Sequence, residues 1–162
     1  MNRTLTRRIT FIEQFDLFVG IDLGKHKNVA VMTDRRLKRY GRYQFGHSRD
    51  EYDKLAAWLG RGRAGKSLRI LIGMEPTNDY WQWLATYLED SGIPYRLVNS
   101  FAVKKHREGS QLDYAKDDDR DARTINHLLI QGTFTETQLL PDHYAQMRQY
   151  EQAHWQLKRE IR

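Results

Sequence analysis

The chain has 162 residues, enough to bury a core in one globular domain, and a formal net charge of +6. It contains no cysteine, which excludes a disulfide framework and any thiolate metal site, so a metal here would be held by oxygen or imidazole. The basic start "MNRTLTRRIT" lacks the apolar core of a signal peptide and no apolar run approaches the roughly 20 residues that span a bilayer, so a soluble, cytoplasmic protein is expected, with a polyanion such as nucleic acid as its partner.

In chain order, residues 1–15 read as a basic N-terminal extension. "FDLFVGIDLG" is an apolar strand ending in Asp22, Leu23 and Gly24, and "KNVAVMTD" alternates as a second strand, which predicts a hairpin around Lys25 and His26. "LKRYGRYQFG" is a third strand in which basic and aromatic residues interleave. "SRDEYDKLAAWLG" carries the Ser48 cap and acidic first turn of a helix. A buried-type strand, "SLRILIGME", precedes a helix over "PTNDYWQWLATYLEDSG", with Pro76 near its start and Gly92 past its end, and "IPYRLVNS" is a fifth strand. These elements predict a mixed, five-stranded α/β sheet flanked by helices. After Ser100 the chain reads as helical, broken at "REGSQLDYAK". "PDHYAQMRQYEQAHWQLKREIR" follows Pro141 as an amphipathic helix whose apolar residues Tyr144, Met147, Tyr150, Trp155 and Leu157 are too sparse for a core face, so it is expected to project or to pair with a partner.

"GRGRAGKS", Gly60 to Ser67, matches the phosphate-loop pattern. That loop works by running from a strand into a helix whose N-terminal amides meet phosphate. Here a helix precedes it and a strand follows, so it reads as a basic turn.

Three acidic features remain. Asp22 ends a strand among Val19, Ile21 and Leu23, where a carboxylate is costly unless partnered. It either caps a turn or pairs with Lys25, or it is a metal ligand with Lys25, His26 and Lys27 beside it to meet phosphate. Glu75 ends the next core strand; it either sits at a helix N-terminus, where the dipole favours an anion, or joins Asp22 across neighbouring strands. Asp79 ranks below Glu75 because it falls inside the predicted helix. In "YAKDDDRDARTINHLL", a helix at about 100° per residue puts Asp121 within roughly 60° of both Asp117 and Asp118. A self-stabilising acidic first turn explains these acids alone, but not Asp22 and Glu75. Taken together the three features suggest a hard-cation centre, since Mg²⁺ or Mn²⁺ prefers oxygen ligands and serves phosphodiester chemistry.

A strand ending "GIDLGKHKN", a later one ending "GMEPT" and a downstream "KDDDRDA" resemble the N-terminal RuvC-like domain of the insertion-sequence-110 family of transposases, related to Piv-type DNA invertases. The resemblance covers nearly the whole chain. It implies an RNase H-like fold and an Asp, Glu, Asp, Asp tetrad, here Asp22, Glu75, Asp118 and Asp121, with Lys116 and Ala122 flanking the last pair and Asp117 and Asp119 as neighbours. It also implies catalysis with Mg²⁺ or Mn²⁺, DNA as substrate, a bridge RNA as guide, a homo-oligomer in the full-length protein, and a nucleoid setting in a prokaryote. On this reading residues 16–140 are the RuvC-like domain and 141–162 begin a linking helix towards a second domain that supplies a serine nucleophile, which this chain lacks. Arg35, Arg36, Lys38, Arg39 and Arg42, with Tyr40 and Tyr43 nearby, and Lys104, Lys105, His106 and Arg107 are placed to track a nucleic-acid backbone, alongside Lys25, His26 and Lys27. Three other readings compete. An actin-like ATPase shares the "GIDLG" strand, but needs a Gly-Gly pair that is missing here. A RuvC-type endonuclease would cleave by water attack with the tetrad alone, and a non-catalytic nucleic-acid-binding module would use the acids structurally.

Overall fold

Alternation decides which way each strand faces. In the first strand, β1 (Leu17–Leu23), Val19, Ile21 and Leu23 join one apolar core while Phe18 joins another, so the strand is buried on both faces. A computed structural model describes residues 3–62, 67–77, 79–109 and 118–135, together with 146–147, 149–151, 153–154 and 157–158. Helix α1 (Arg3–Ile12) precedes β1. There follow β2 (Asn28–Thr33), β3 (Arg39–Phe45), α2 (Arg49–Gly62), β4 (Ile70–Met74), α3 (Tyr80–Asp90), β5 (Tyr95–Val98), α4 (Ser100–Gly109), α5 (Asp118–Ile130) and β6 (Phe134–Thr135).

The strands form one mixed sheet in the order β3-β2-β1-β4-β5-β6. Strands β1, β2 and β3 make an antiparallel meander, whereas β1, β4 and β5 run parallel and need the crossover helices α2 and α3. Those two helices cover one face through Tyr52, Leu55, Leu59, Leu84 and Leu88. The other face is covered by α1, α4 and α5 through Ile12, Val103, Ile125, Leu128 and Leu129. Buried aliphatic side chains on both faces supply most of the stabilisation, about 1.5–3 kcal/mol for each one fully removed from water.

The five strands, the hairpin after Leu23 and the helices after Ser48 and Pro76 stand where the sequence puts them, with three differences in detail. The basic start is helical from Arg3, and it docks by burying Ile12 and by an edge-on contact of Phe11 with Phe15 at 5.1 Å. A sixth strand, only two residues long, pairs Phe134 with Val98. Asp79 is the N-cap of α3 and not a residue of its interior. The segment "GRGRAGKS" lies between α2, which ends at Gly62, and β4, which begins at Ile70, so the helix-then-strand order that argues against a phosphate loop holds; residues 63–66 are outside the described residues.

Where the C-terminal segment is described it is helical, and it touches the domain at α3. The His154 ring lies 4.5 Å from that of Trp83 on α3, and Glu151 is buried. Tyr150 and Leu157 are exposed. Tyr144 and Trp155 lie outside the described residues. No helix among the described residues is long and apolar enough to cross a membrane.

Candidate active site

Two glycines set the depth of the site. Gly20 in β1 and Gly73 in β4 are register partners across the parallel pair, and both face α5. A Cβ on Gly20 would stand 2.0 Å from the Ala122 carbonyl oxygen, and one on Gly73 would stand 2.9 Å from Leu129 Cδ2. The pair therefore forms a side-chain-free lane in which α5 lies against the sheet backbone. Asn126, wholly buried, fixes the helix along this lane: its Nδ2 donates to the Phe18 and Val31 carbonyl oxygens, reaching two strands at once. Ala122 lies by Gly20 and Asn126 reaches Phe18, so α5 runs opposite to β1 and its acidic first turn is carried to the end where β1 and β4 finish.

Alternation then aims the carboxylates. Asp22 is two residues past Gly20 and Glu75 two past Gly73, which directs both towards the α5 side. The last paired residues are Ile21 and Met74, so Asp22 and Glu75 leave neighbouring strands, about 4.8 Å apart, at the same level. Glu75 is buried and Asp22 partly so. Asp121 reaches the same place from α5. One guanidinium joins two of these acids: Arg107, in the last turn of α4, has Nη2 3.7 Å from Glu75 Oε2 and Nε 2.9 Å from Asp121 Oδ1. Asp118 opens α5, and its side chain lies outside the described residues. Among the described residues no three histidine or acidic side chains converge on a single metal position.

Asp119 has a separate task. It is buried, and accepts hydrogen bonds from Arg39 Nη1 at 2.9 Å and from Arg42 Nε. Two arginines three residues apart would ordinarily face opposite sides of a strand. The register shift between Met32 and Thr33 corrects this by pairing Thr33 with Arg39 and Val31 with Arg42, so both arginines emerge on the α5 face. Asp119 is thus a clamp between α5 and β3, where the sequence suggests a bystander.

The basic residues divide among three places. Lys25, His26 and Lys27 are exposed in the β1–β2 turn, directly after Asp22. That turn is built by Asn28, whose Oδ1 accepts from the Gly24 amide, and by His47, whose Nε2 donates to the Gly24 carbonyl at 2.7 Å. Burial holds the His47 pKa below its usual value, which favours this neutral, donating form. Lys104 and Lys105 are exposed on α4, and His106 and Arg107 are partly buried. Arg35, Arg36 and Lys38 hang from the β2–β3 turn at the opposite end of β2, roughly 20 Å away for a strand of that length. Arg35 there donates to the Ile12 carbonyl, and the Lys38 ammonium lies over the Tyr40 ring. Arg39 and Arg42 are engaged by Asp119.

Neither the place of Arg107 inside the site, nor the clamp at Asp119, nor the anchoring by Asn126 is apparent from the sequence. A signal for the helix lane is present, because "GID" and "GME" each put a glycine two positions before the acid.

An antiparallel meander continued by parallel strands, with carboxylates at the ends of β1 and β4 and a helix laid across them, defines an RNase H-like α/β domain. A family model for DEDD transposases of the insertion-sequence-110 type matches residues 19–162, and the chain belongs to that transposase family, whose substrate is DNA. No curated protein matches the chain.

Proposed function

We propose that Asp22, Glu75, Asp118 and Asp121 form the acidic tetrad of this transposase domain and act on DNA phosphodiesters with a divalent cation, Mg²⁺ or Mn²⁺. The observation that carries the reading is the convergence of Glu75 and Asp121, from a strand end and a helix start, on the single positive charge of Arg107. Carboxylates from separate elements gathered at one point repel unless a cation lies between them, and an oxygen-only donor set suits a hard divalent ion. Glu75 and Asp121 would hold it, with Asp22 and Asp118 completing the set. Held there, such an ion would supply charge stabilisation to a phosphodiester undergoing attack.

The chain's own residues do the rest. Gly20, Gly73 and Asn126 hold α5 at a fixed depth, so Asp121 stays level with the strand ends. Lys25, Lys27, Lys104 and Lys105 surround the acids with exposed positive charge that draws a phosphate backbone in without reading its sequence. The family resemblance adds a bridge RNA as guide and a serine nucleophile supplied by a second domain. No serine of residues 1–162 is given that role.

The test is incubation of the chain with branched DNA and Mg²⁺. The expected result is salt-sensitive binding with no cleavage until the serine-bearing domain is supplied, after which cleavage is abolished by Glu75→Gln. Robust cleavage by this chain alone would replace the serine-dependent scheme with a RuvC-type endonuclease.

A further inference from the structure

We propose that Arg107 is an exchangeable occupant of the acidic site. It neutralises Glu75 and Asp121 when no divalent cation is present, and it turns to a nucleic-acid phosphate when a cation takes those carboxylates. The inference rests on the metal-dependent reading above and adds to it a residue that couples cation binding to substrate binding.

Three observations carry it. First, Arg107 touches acids from two different elements, at 3.7 Å and 2.9 Å, so its charge lies between groups that a cation would bridge. Second, its contacts are electrostatic only. Arg107 Nε is buried without a hydrogen-bond partner although Asp121 Oδ1 is 2.9 Å away, because the N–H is not directed at the oxygen. The Asp119 clamp is the internal comparison, since there both arginine contacts are hydrogen bonds. A structural bridge uses its donors; Arg107 leaves Nε unused, so its displacement forfeits only charge attraction. Third, Arg107 lies in the last turn of α4, three residues after the exposed Lys104 and hence on the same side of the helix. A phosphate drawn in by Lys104 is therefore within the compass of a released guanidinium, whose fork of donors matches phosphate oxygens better than an ammonium does.

The consequence is a linkage. If cation and Arg107 compete for the same carboxylates, the cation frees Arg107 for DNA, and bound DNA in turn strengthens cation binding by the same factor.

The test is Mn²⁺ titration of the whole chain by calorimetry, comparing wild type with Arg107→Gln and with and without duplex DNA. With the competing charge removed, Arg107→Gln should bind Mn²⁺ roughly threefold to tenfold more tightly in the absence of DNA, and the tightening produced by DNA in wild type should be lost. Wild-type binding that is unchanged or weakened by Arg107→Gln would overturn the proposal while leaving the metal site standing. No Mn²⁺ binding by either protein would overturn the metal-dependent reading itself, and the exchange with it. Should Arg107→Gln fail to fold, the wild-type chain decides: its Arg107 Nε–H resonance, assigned by its loss in Arg107→Lys, should shift on adding Mg²⁺, and an unmoved resonance would refute the exchange.

Discussion

Asp119 and Asp121, two residues apart in one acidic turn, make opposite kinds of contact. Asp119 is buried, accepts hydrogen bonds from Arg39 and Arg42 and ties α5 to β3; Asp121 is partly exposed and meets Arg107 without one. A hydrogen-bonded, buried carboxylate contributes to folding, whereas a half-exposed charge contact contributes little. Asp119→Ala should therefore cost about 1–3 kcal/mol of stability, and Asp121→Ala less than about 1 kcal/mol, as read from urea denaturation midpoints. Equal losses would contradict this division. The crowding of acids was legible in "KDDDRDA", and helical spacing left both Asp117 and Asp118 as possible partners of Asp121. What Asp119 does was not legible, because it depends on a register shift between β2 and β3 some eighty residues away in the chain. Arg107 was legible as a cation but not as one inside the site, since "KKHR" gives no sign of which side of α4 faces α5.

At the scale of elements, the site is a matter of how closely one helix approaches two strands. Gly20 meets backbone, the Ala122 carbonyl, whereas Gly73 meets the end of the Leu129 side chain, which can turn aside. Gly20→Ala should therefore lower stability by about 3 kcal/mol or more and Gly73→Ala by about 1 kcal/mol, checked by thermal melting. A smaller effect at Gly20 than at Gly73 would mean that α5 does not lie where the carboxylates need it. The strands and both crossover helices were readable from apolar alternation and capping. The helix α1 and the strand β6 were not, for different reasons. Arginines and threonines dilute the helical spacing of Leu5, Ile9 and Ile12 in α1, and a two-residue strand is too short to display a period.

Over the whole molecule, the distribution of charge is more selective than the net +6 suggests. The exposed positive side chains of the β1–β2 turn follow Asp22 in the chain and those of α4 share a helix with Arg107, while Arg39 and Arg42 are taken up by Asp119 and Arg35, Arg36 and Lys38 lie at the far end of β2. Salt-sensitive attraction of nucleic acid is therefore proposed for the first two groups. The proposed function requires the acids of the site to take up a divalent cation, with Arg107 neutralising Glu75 and Asp121 when none is bound. It is tested most directly by the melting temperature of the chain in Mn²⁺. A ligand at a hundred times its dissociation constant stabilises by about 2.7 kcal/mol, which for a domain of this size is a rise of roughly 5–10 °C. That rise is expected for the wild-type chain, and its loss in Asp22→Asn and in Glu75→Gln. No rise in wild type, or the same rise in both variants, would contradict it.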